Sequence, residues 1–180
     1  MECYRVRGDA LEQEKSIWGA LDADPRVYPL IAVVGGGGKT TLLYALMREA
    51  GKMGLRVLLT TTTHMELPPA RLWAKSREEA RALLEHGGAA VFALPCEEGK
   101  CGPPHLSPEE CLALADLVLV EADGARHLPL KAPAPHEPVL PKEPSLVIGV
   151  AGLDSVGRPL QGVCHRPERV AALLEKRREE

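Results

Sequence analysis

Aromatic side chains are scarce in this sequence, at 3% of its 180 residues. A surface that stacks the bases of single-stranded nucleic acid needs several of them, so the composition argues against that class of protein. The formal net charge of -3 argues in the same way against a general nucleic-acid-binding surface. We therefore expect no nucleic-acid partner.

Long apolar runs and a regular cysteine pattern are also missing. No run approaches the length of a membrane span, and the N-terminus lacks the apolar centre of a signal peptide. The five cysteines are odd in number and irregularly spaced, which fits reduced thiols better than a disulfide framework. We expect a cytoplasmic protein with no membrane partner, folded as a single domain over residues 1–180.

The sequence does contain a glycine-rich stretch between two patterned segments. Residues 30–34 form an apolar run typical of a buried strand, four glycines follow, and a helical pattern occupies 41–50. A strand, a glycine turn, Lys-Thr and a helix form the arrangement that holds the phosphates of a nucleotide. The predicted nucleotide-binding residues are Gly35, Gly36, Gly37, Gly38, Lys39, Thr40 and Thr41.

Each part of this loop has a chemical role in that interpretation. Backbone N–H groups of the glycines can converge on an anion, because no Cβ blocks close approach. Lys39, which we expect to be exposed, would reach the β- and γ-phosphates of ATP or GTP, and the Thr40 hydroxyl would bind Mg²⁺. Val33 stands where the full motif has its first glycine, so a purely structural turn remains the alternative.

Two carboxylates follow a second apolar run, at residues 117–120. Glu121 and Asp123 are two residues apart and share a face of an extended chain. A phosphate-loop enzyme places its metal-binding acid at such a strand end. Either carboxylate suits this role, and we assign Mg²⁺ to Thr40 and Asp123. The predicted catalytic residues are Lys39, Glu121 and Asp123.

Further polar residues follow other predicted strands and lie in a Pro-rich segment. Residues 126–144 hold six prolines, which predict a stiff segment: either a flap over the site or a surface linker. We group as a second-ligand site Thr63, His64, Lys131, His136, Glu137, His165 and Arg166. Residues 9–21 predict a helix within an N-terminal helical region, 1–28.

The order of strands and helices predicts an α/β fold. Runs that are apolar throughout indicate strands buried on both faces, hence a mostly parallel sheet. We predict a three-layer sandwich of the P-loop NTPase-like type, with the site at the carboxyl ends of the strands.

Several of these motifs together resemble one known family. They are residues 35–41, 60–64, 121–124, 129–133, 136–138 and 165–168. The sequence resembles YqeC-type proteins, accessory factors associated with the maturation of selenium-dependent molybdenum hydroxylases. The resemblance implies a phosphate-loop nucleotide-binding fold and a molybdenum hydroxylase, or its cofactor, as partner. It leaves a homodimer open.

Three functions are compatible with these residues. The favoured one is Mg²⁺-dependent binding and slow hydrolysis of ATP or GTP, coupled to the maturation of a partner enzyme. A small-molecule kinase or nucleotidyl transferase is the first alternative, and a non-catalytic carrier of a phosphorylated cofactor is the second.

Overall fold

The computed structural model describes residues 2–96 and 99–179. The strands are β1 Cys3–Arg7, β2 Ala10–Glu14, β3 Leu30–Gly35, β4 Val57–Thr61, β5 Met65–Glu66, β6 Trp73–Ala74, β7 Ala89–Phe92, β8 Leu94–Pro95, β9 Lys100–Gly102, β10 Leu117–Glu121, β11 Leu130–Lys131, β12 Leu146–Val150 and β13 Cys164–His165. The helices are α1 Ile17–Leu21, α2 Lys39–Lys52, α3 Arg77–Gly87, α4 Pro108–Cys111 and α5 Pro167–Glu179.

A six-stranded sheet forms the centre of the fold. Its strands run in the order β12-β3-β10-β4-β7-β6. Every neighbouring pair in this sheet is parallel. The prediction of an α/β fold with a mostly parallel sheet is confirmed.

Helices cover both faces of the sheet, because the strand side chains alternate between two apolar clusters. In β3, Ile31 and Val33 pack in the cluster that contains α1 and α2. Leu30 and Ala32 point to the other face and pack with residues of α3 and α4. Fully apolar strands bury both faces in this way, which gives the predicted three layers.

The predicted helix at residues 9–21 is wrong. Ala10–Glu14 instead pairs with Cys3–Arg7 in an antiparallel hairpin, and the helix is confined to Ile17–Leu21. Gly8 has a φ of 59°, which permits the two-residue turn between these strands. Ser16 then starts α1, since its side chain accepts a hydrogen bond from the Gly19 N–H at 2.9 Å.

The strand register places the two predicted site segments side by side. Glu121, at the end of β10, lies opposite Val33 of β3 on one side and opposite Thr61 of β4 on the other. The glycine-rich loop, the first strand-end carboxylate and the threonine run therefore share one edge of the sheet. Ligands of open parallel sheets bind beyond this edge.

The Pro-rich segment is joined to the C-terminal part of the chain. Leu130–Lys131 pairs in parallel with Cys164–His165 as a separate two-stranded sheet. The Gly37 N–H also donates to the Leu128 carbonyl at 3.0 Å, so this segment touches the glycine-rich loop directly. Within the described ranges, no helix is long and apolar enough to cross a membrane.

Candidate functional site

A cavity of about 830 Å³ lies at the carboxyl edge of the sheet. Its lining includes residues 37–41, 62–66 and 124–128, together with Glu121, His136, Glu137, His165 and Arg166. Of the seven residues predicted for a second ligand, Lys131 does not line it. The cavity therefore connects the glycine-rich loop with most of the predicted second-ligand residues.

Three glycine N–H groups of the loop are already bonded within the protein. The Gly35 N–H donates to the Asp123 carboxylate at 3.0 Å and 3.2 Å. The N–H groups of Gly36 and Gly37 donate to backbone carbonyl oxygens at 2.9 Å and 3.0 Å. The sequence predicts that these N–H groups face a ligand, whereas in the structure they donate to acceptors of the protein itself.

The backbone N–H groups that remain available belong to the residues that follow directly, where α2 begins. Gly38 is its N-cap, in the left-handed conformation, and no side chain caps the helix there. Within the described part of the chain, the N–H groups of Gly38, Lys39, Thr40 and Thr41 donate to no acceptor. The first turn of a helix with unsatisfied N–H groups and a positive dipole end is an anion site.

The first three glycines of the loop are required by close contacts with the protein's own backbone. A Cβ on Gly35 would lie 2.2 Å from the Val150 carbonyl oxygen, and one on Gly36 would lie 2.8 Å from that of Leu128. A Cβ on Gly38 would meet nothing within 4 Å. Close approach therefore explains the first glycines of the loop, while Gly38 is left facing open space.

Lys39 is buried, contrary to the expectation from the sequence, with 5% of the residue exposed. Its Nζ donates to the Gly35 carbonyl at 2.7 Å and lies 3.3 Å from Asp123 Oδ1. The ammonium group is folded back onto its own loop because these two oxygens satisfy it there. It must turn away from them to meet a phosphate bound at the start of α2.

Thr40 contacts Glu121 and not Asp123. The Thr40 hydroxyl donates to Glu121 Oε2 at 3.0 Å. Glu121 is 6% exposed. Burial raises the pKa of Glu121 above its ordinary range, although Lys39 and the Thr40 hydroxyl act in the opposite direction. The carboxylate gains from any cation placed beside it.

Asp123 begins a run of ion pairs that leads away from the loop. Besides Lys39, it contacts Lys131 Nζ at 3.0 Å. Lys131, whose side chain is fully buried, also contacts Glu137 at 3.0 Å, and Glu137 contacts Arg166 at 2.7 Å. We call Lys39, Asp123, Lys131, Glu137 and Arg166 the ion-pair chain. It joins the glycine-rich loop, β10, the Pro-rich segment and the residue before α5.

The threonines at the end of β4 make structural hydrogen bonds, and two of them, Thr62 and Thr63, line the cavity. The hydroxyls of Thr60, Thr61 and Thr62 donate to the carbonyls of Phe92, Glu121 and Val139, respectively, which ties neighbouring segments together. Thr63 lines the cavity, and its hydroxyl oxygen is buried with no partner in the described ranges.

Three predicted histidines, His64, His136 and His165, line the cavity. Arg126 and His127 line it as well, although the sequence analysis did not assign them to the site. Arg126 and His127 could have been predicted from the sequence, because they follow closely after Glu121 and Asp123 at the end of a strand. Parallel strands deliver such residues to the same edge.

Two comparisons with known proteins bear on this site. A family model described as "YqeC protein" matches residues 31–168. This chain belongs to the YqeC family. "Uncharacterized protein YqeC" from Escherichia coli (strain K12) is 40% identical over an alignment of 139 positions, and the match covers 71% of this chain and 53% of that protein. The chain thus spans about half the length of this curated relative. No solved structure matches the chain.

The glycine contacts predict different costs for two alanine substitutions in the same loop. Gly35 and Gly38 both have a positive φ, 103° and 81°, so alanine is strained at either position. Only Gly35→Ala adds a collision with the backbone. We expect it to lower the free energy of unfolding by about 1–3 kcal/mol more than Gly38→Ala does. Urea denaturation measures the difference, and equal losses would contradict the packing argument.

The ion-pair chain predicts an acid-sensitive contribution from Glu137. Burial alone would raise its pKa, but hydrogen bonds from Arg166, Lys131 and the Ala134 N–H outweigh this and lower the pKa to about 2. Because folding lowers this pKa, the ionised Glu137 side chain stabilises the folded protein. The contribution is fully present above pH 4.5, the ordinary pKa of glutamate, and is lost as the pH falls towards 2.

The matched variant for this test is Glu137→Gln. We expect it to be less stable than the unmodified protein at neutral pH. The two free energies of unfolding should converge as the pH falls below 4.5, the ordinary value for glutamate. Denaturation curves collected across this range measure the gap. A gap that stays constant down to the lowest pH would show that the Glu137 charge does not contribute.

Proposed function

We propose that this protein binds ATP or GTP with Mg²⁺ at the start of α2 and hydrolyses it slowly. The observation that supports this best is the 3.0 Å hydrogen bond between Thr40 and Glu121. It lies beside the helix turn whose N–H groups have no acceptor among the described residues. In phosphate-loop sites, the hydroxyl after the lysine and an acid at a neighbouring strand end serve the same Mg²⁺.

We propose Thr40 and Glu121 as the residues that hold Mg²⁺, in place of Thr40 and Asp123. Asp123 is surrounded by Lys39, Lys131 and the Gly35 N–H, so its negative charge is already compensated. Glu121 has only the Thr40 hydroxyl as a hydrogen-bond donor to its side chain among the described residues. A buried, undercompensated carboxylate is the better partner for a divalent cation.

The role we propose for Lys39 is to stabilise charge on the phosphates. Asp123 and the Gly35 carbonyl hold its ammonium group beside the anion site, so a short side-chain movement suffices. Catalysis of phosphoryl transfer depends mainly on positioning and on electrostatic stabilisation. When bound, Mg²⁺ would neutralise charge on the phosphate oxygens. Asp123 is then a positioning residue, which acts through Lys39.

The biological role that we propose comes from family resemblance. The nucleotide activity would serve the maturation of a selenium-dependent molybdenum hydroxylase, in the cytoplasm, with that enzyme or its cofactor as partner. A small-molecule kinase or nucleotidyl transferase is the second candidate. It is favoured by the extent of the cavity, which continues from Thr40 past Glu121 to His165 and Arg166. Such an enzyme would bind its acceptor there.

Replacing Lys39 tests the proposed nucleotide site. We expect Lys39→Ala to weaken binding of Mg²⁺-triphosphate at least about tenfold, since a hydrogen bond from a charged group contributes about 1.5–3 kcal/mol. Lys52→Ala is the matched control, because Lys52 is exposed in the last turn of the same helix. Titration calorimetry with ATP and with GTP measures the affinities.

The burial of Lys39 requires a check of folding in the same experiment. Its removal should cost some stability, but Asp123 keeps Lys131 as a partner. Circular dichroism should therefore show a folded Lys39→Ala protein. Equal triphosphate affinity in Lys39→Ala and Lys52→Ala would remove the proposal.

A further inference from the structure

We infer that the Arg166 end of the ion-pair chain binds a phosphate-type oxyanion carried by a second small-molecule ligand. The residues that would contact it are Arg126, His165 and Arg166, which line the same cavity as Thr40 and Glu121. The inference rests on the proposed function, because it assumes that a nucleotide occupies the start of α2. It gives the second ligand a chemical class.

The first argument is the order of charges. The ion-pair chain alternates in sign and has a cation at each end, Lys39 and Arg166. Within the ion-pair chain three cations face two anions, and Glu121 is a third anion close to Lys39. Arg126 is an uncompensated cation, since it forms no ion pair or hydrogen bond with any residue in the described ranges. Uncompensated positive charge in a concave site favours an anionic ligand.

The surroundings of His165 show where this uncompensated positive charge lies. Burial lowers the pKa of His165, the charges of Arg166, Arg126 and Lys131 lower it further, and the charge of Glu137 acts in the opposite direction without reversing the shift. Three cations therefore lie close enough to act on one ring. The Nδ1 atom of His165 is buried with no partner in the described part of the chain. An anion beside the ring would relieve the mutual repulsion of these cations.

The guanidinium group of Arg166 has donors to spare. One nitrogen, Nη1, carries both of its contacts, to the Ala132 carbonyl at 3.1 Å and to Glu137 at 2.7 Å. Its Nε and Nη2 atoms donate to no acceptor in the described ranges. These two nitrogens form the fork that binds two oxygens of one oxyanion. With the charge of Arg126 nearby, a dianionic phosphate suits the site better than a monoanionic carboxylate.

Backbone conformation is the independent observation. Among the described residues, five that are not glycine have a positive φ: Asp22, Arg126, His127, Glu143 and Arg166. Three of them line this cavity. The left-handed conformation is sterically unfavourable for such residues. Strain of this kind concentrates at binding sites, where the fold holds side chains in fixed positions.

Inorganic phosphate is the probe for this site. We would saturate the protein with Mg²⁺ and a non-hydrolysable triphosphate analogue, which fills the start of α2, and then add phosphate. The ring resonances of His165 in NMR spectra report binding, and we expect a saturable shift together with a higher pKa of this histidine. Acetate should produce a much weaker response. An equal response to acetate would overturn the assignment to phosphate.

Arg126→Met is the decisive variant, because Arg126 has no hydrogen bond or ion pair to lose within the described ranges. We expect it to weaken phosphate binding about tenfold. Arg158→Met is the matched control, as Arg158 is exposed and lies outside the cavity lining. Phosphate affinity that is the same in both variants, or no saturable shift in the unmodified protein, would overturn the inference.

Titration of Lys39→Ala without nucleotide separates the two proposals. A phosphate response that persists in this variant and is lost in Arg126→Met would support the second site even where triphosphate binding is absent. A response that disappears in Lys39→Ala and persists in Arg126→Met would place the phosphate at α2 and overturn the second site.

Discussion

The carboxylate of Asp123 is the contact on which the site depends. It accepts the Gly35 N–H and lies between the ammonium groups of Lys39 and Lys131, at 3.3 Å and 3.0 Å. All three charged side chains are almost completely buried. A buried charge is tolerated only with partners, so each of these groups fixes the position of the others. This one carboxylate contacts the glycine-rich loop and the Pro-rich segment from the end of β10, in addition to the backbone hydrogen bonds between them.

The sequence alone allows either Glu121 or Asp123 to bind the metal, whereas the structure gives these two carboxylates different partners. Asp123 forms ion pairs with Lys39 and Lys131, whereas Glu121 accepts a hydrogen bond from the Thr40 hydroxyl at the cavity wall. In the proposed function Thr40 and Glu121 would hold the cation, and the same cavity has two concentrations of positive charge. One of these is the start of α2 with Lys39, and the other is the corner of Arg126 and Arg166. A Mg²⁺-triphosphate and a second anionic ligand would be complementary to this order of charges.

The central sheet could be predicted from the sequence because its signal is local. The runs that become β3, β4 and β10 are apolar on both faces, and their polar ends fall on one edge as expected. The sequence does not predict the N-terminal hairpin, because Leu11 is 72% exposed and does not pack in the core. The spacing of apolar residues in this segment therefore fits a helix equally well. The burial of Lys39 depends on Asp123, 84 positions away, and no local pattern encodes such a contact. The partners of the glycine N–H groups, Asp123, Leu128 and Val150, are similarly distant in sequence.

The dependence of triphosphate affinity on Mg²⁺ tests the central claim most directly, when it is measured in Glu121→Gln and Asp123→Asn side by side. Glutamine keeps an acceptor for the Thr40 hydroxyl and removes only the charge. We predict that Mg²⁺ strengthens triphosphate binding in the unmodified protein and in Asp123→Asn, and no longer does so in Glu121→Gln. Retention of the Mg²⁺ effect in Glu121→Gln, or triphosphate binding that never depends on Mg²⁺, would contradict the account.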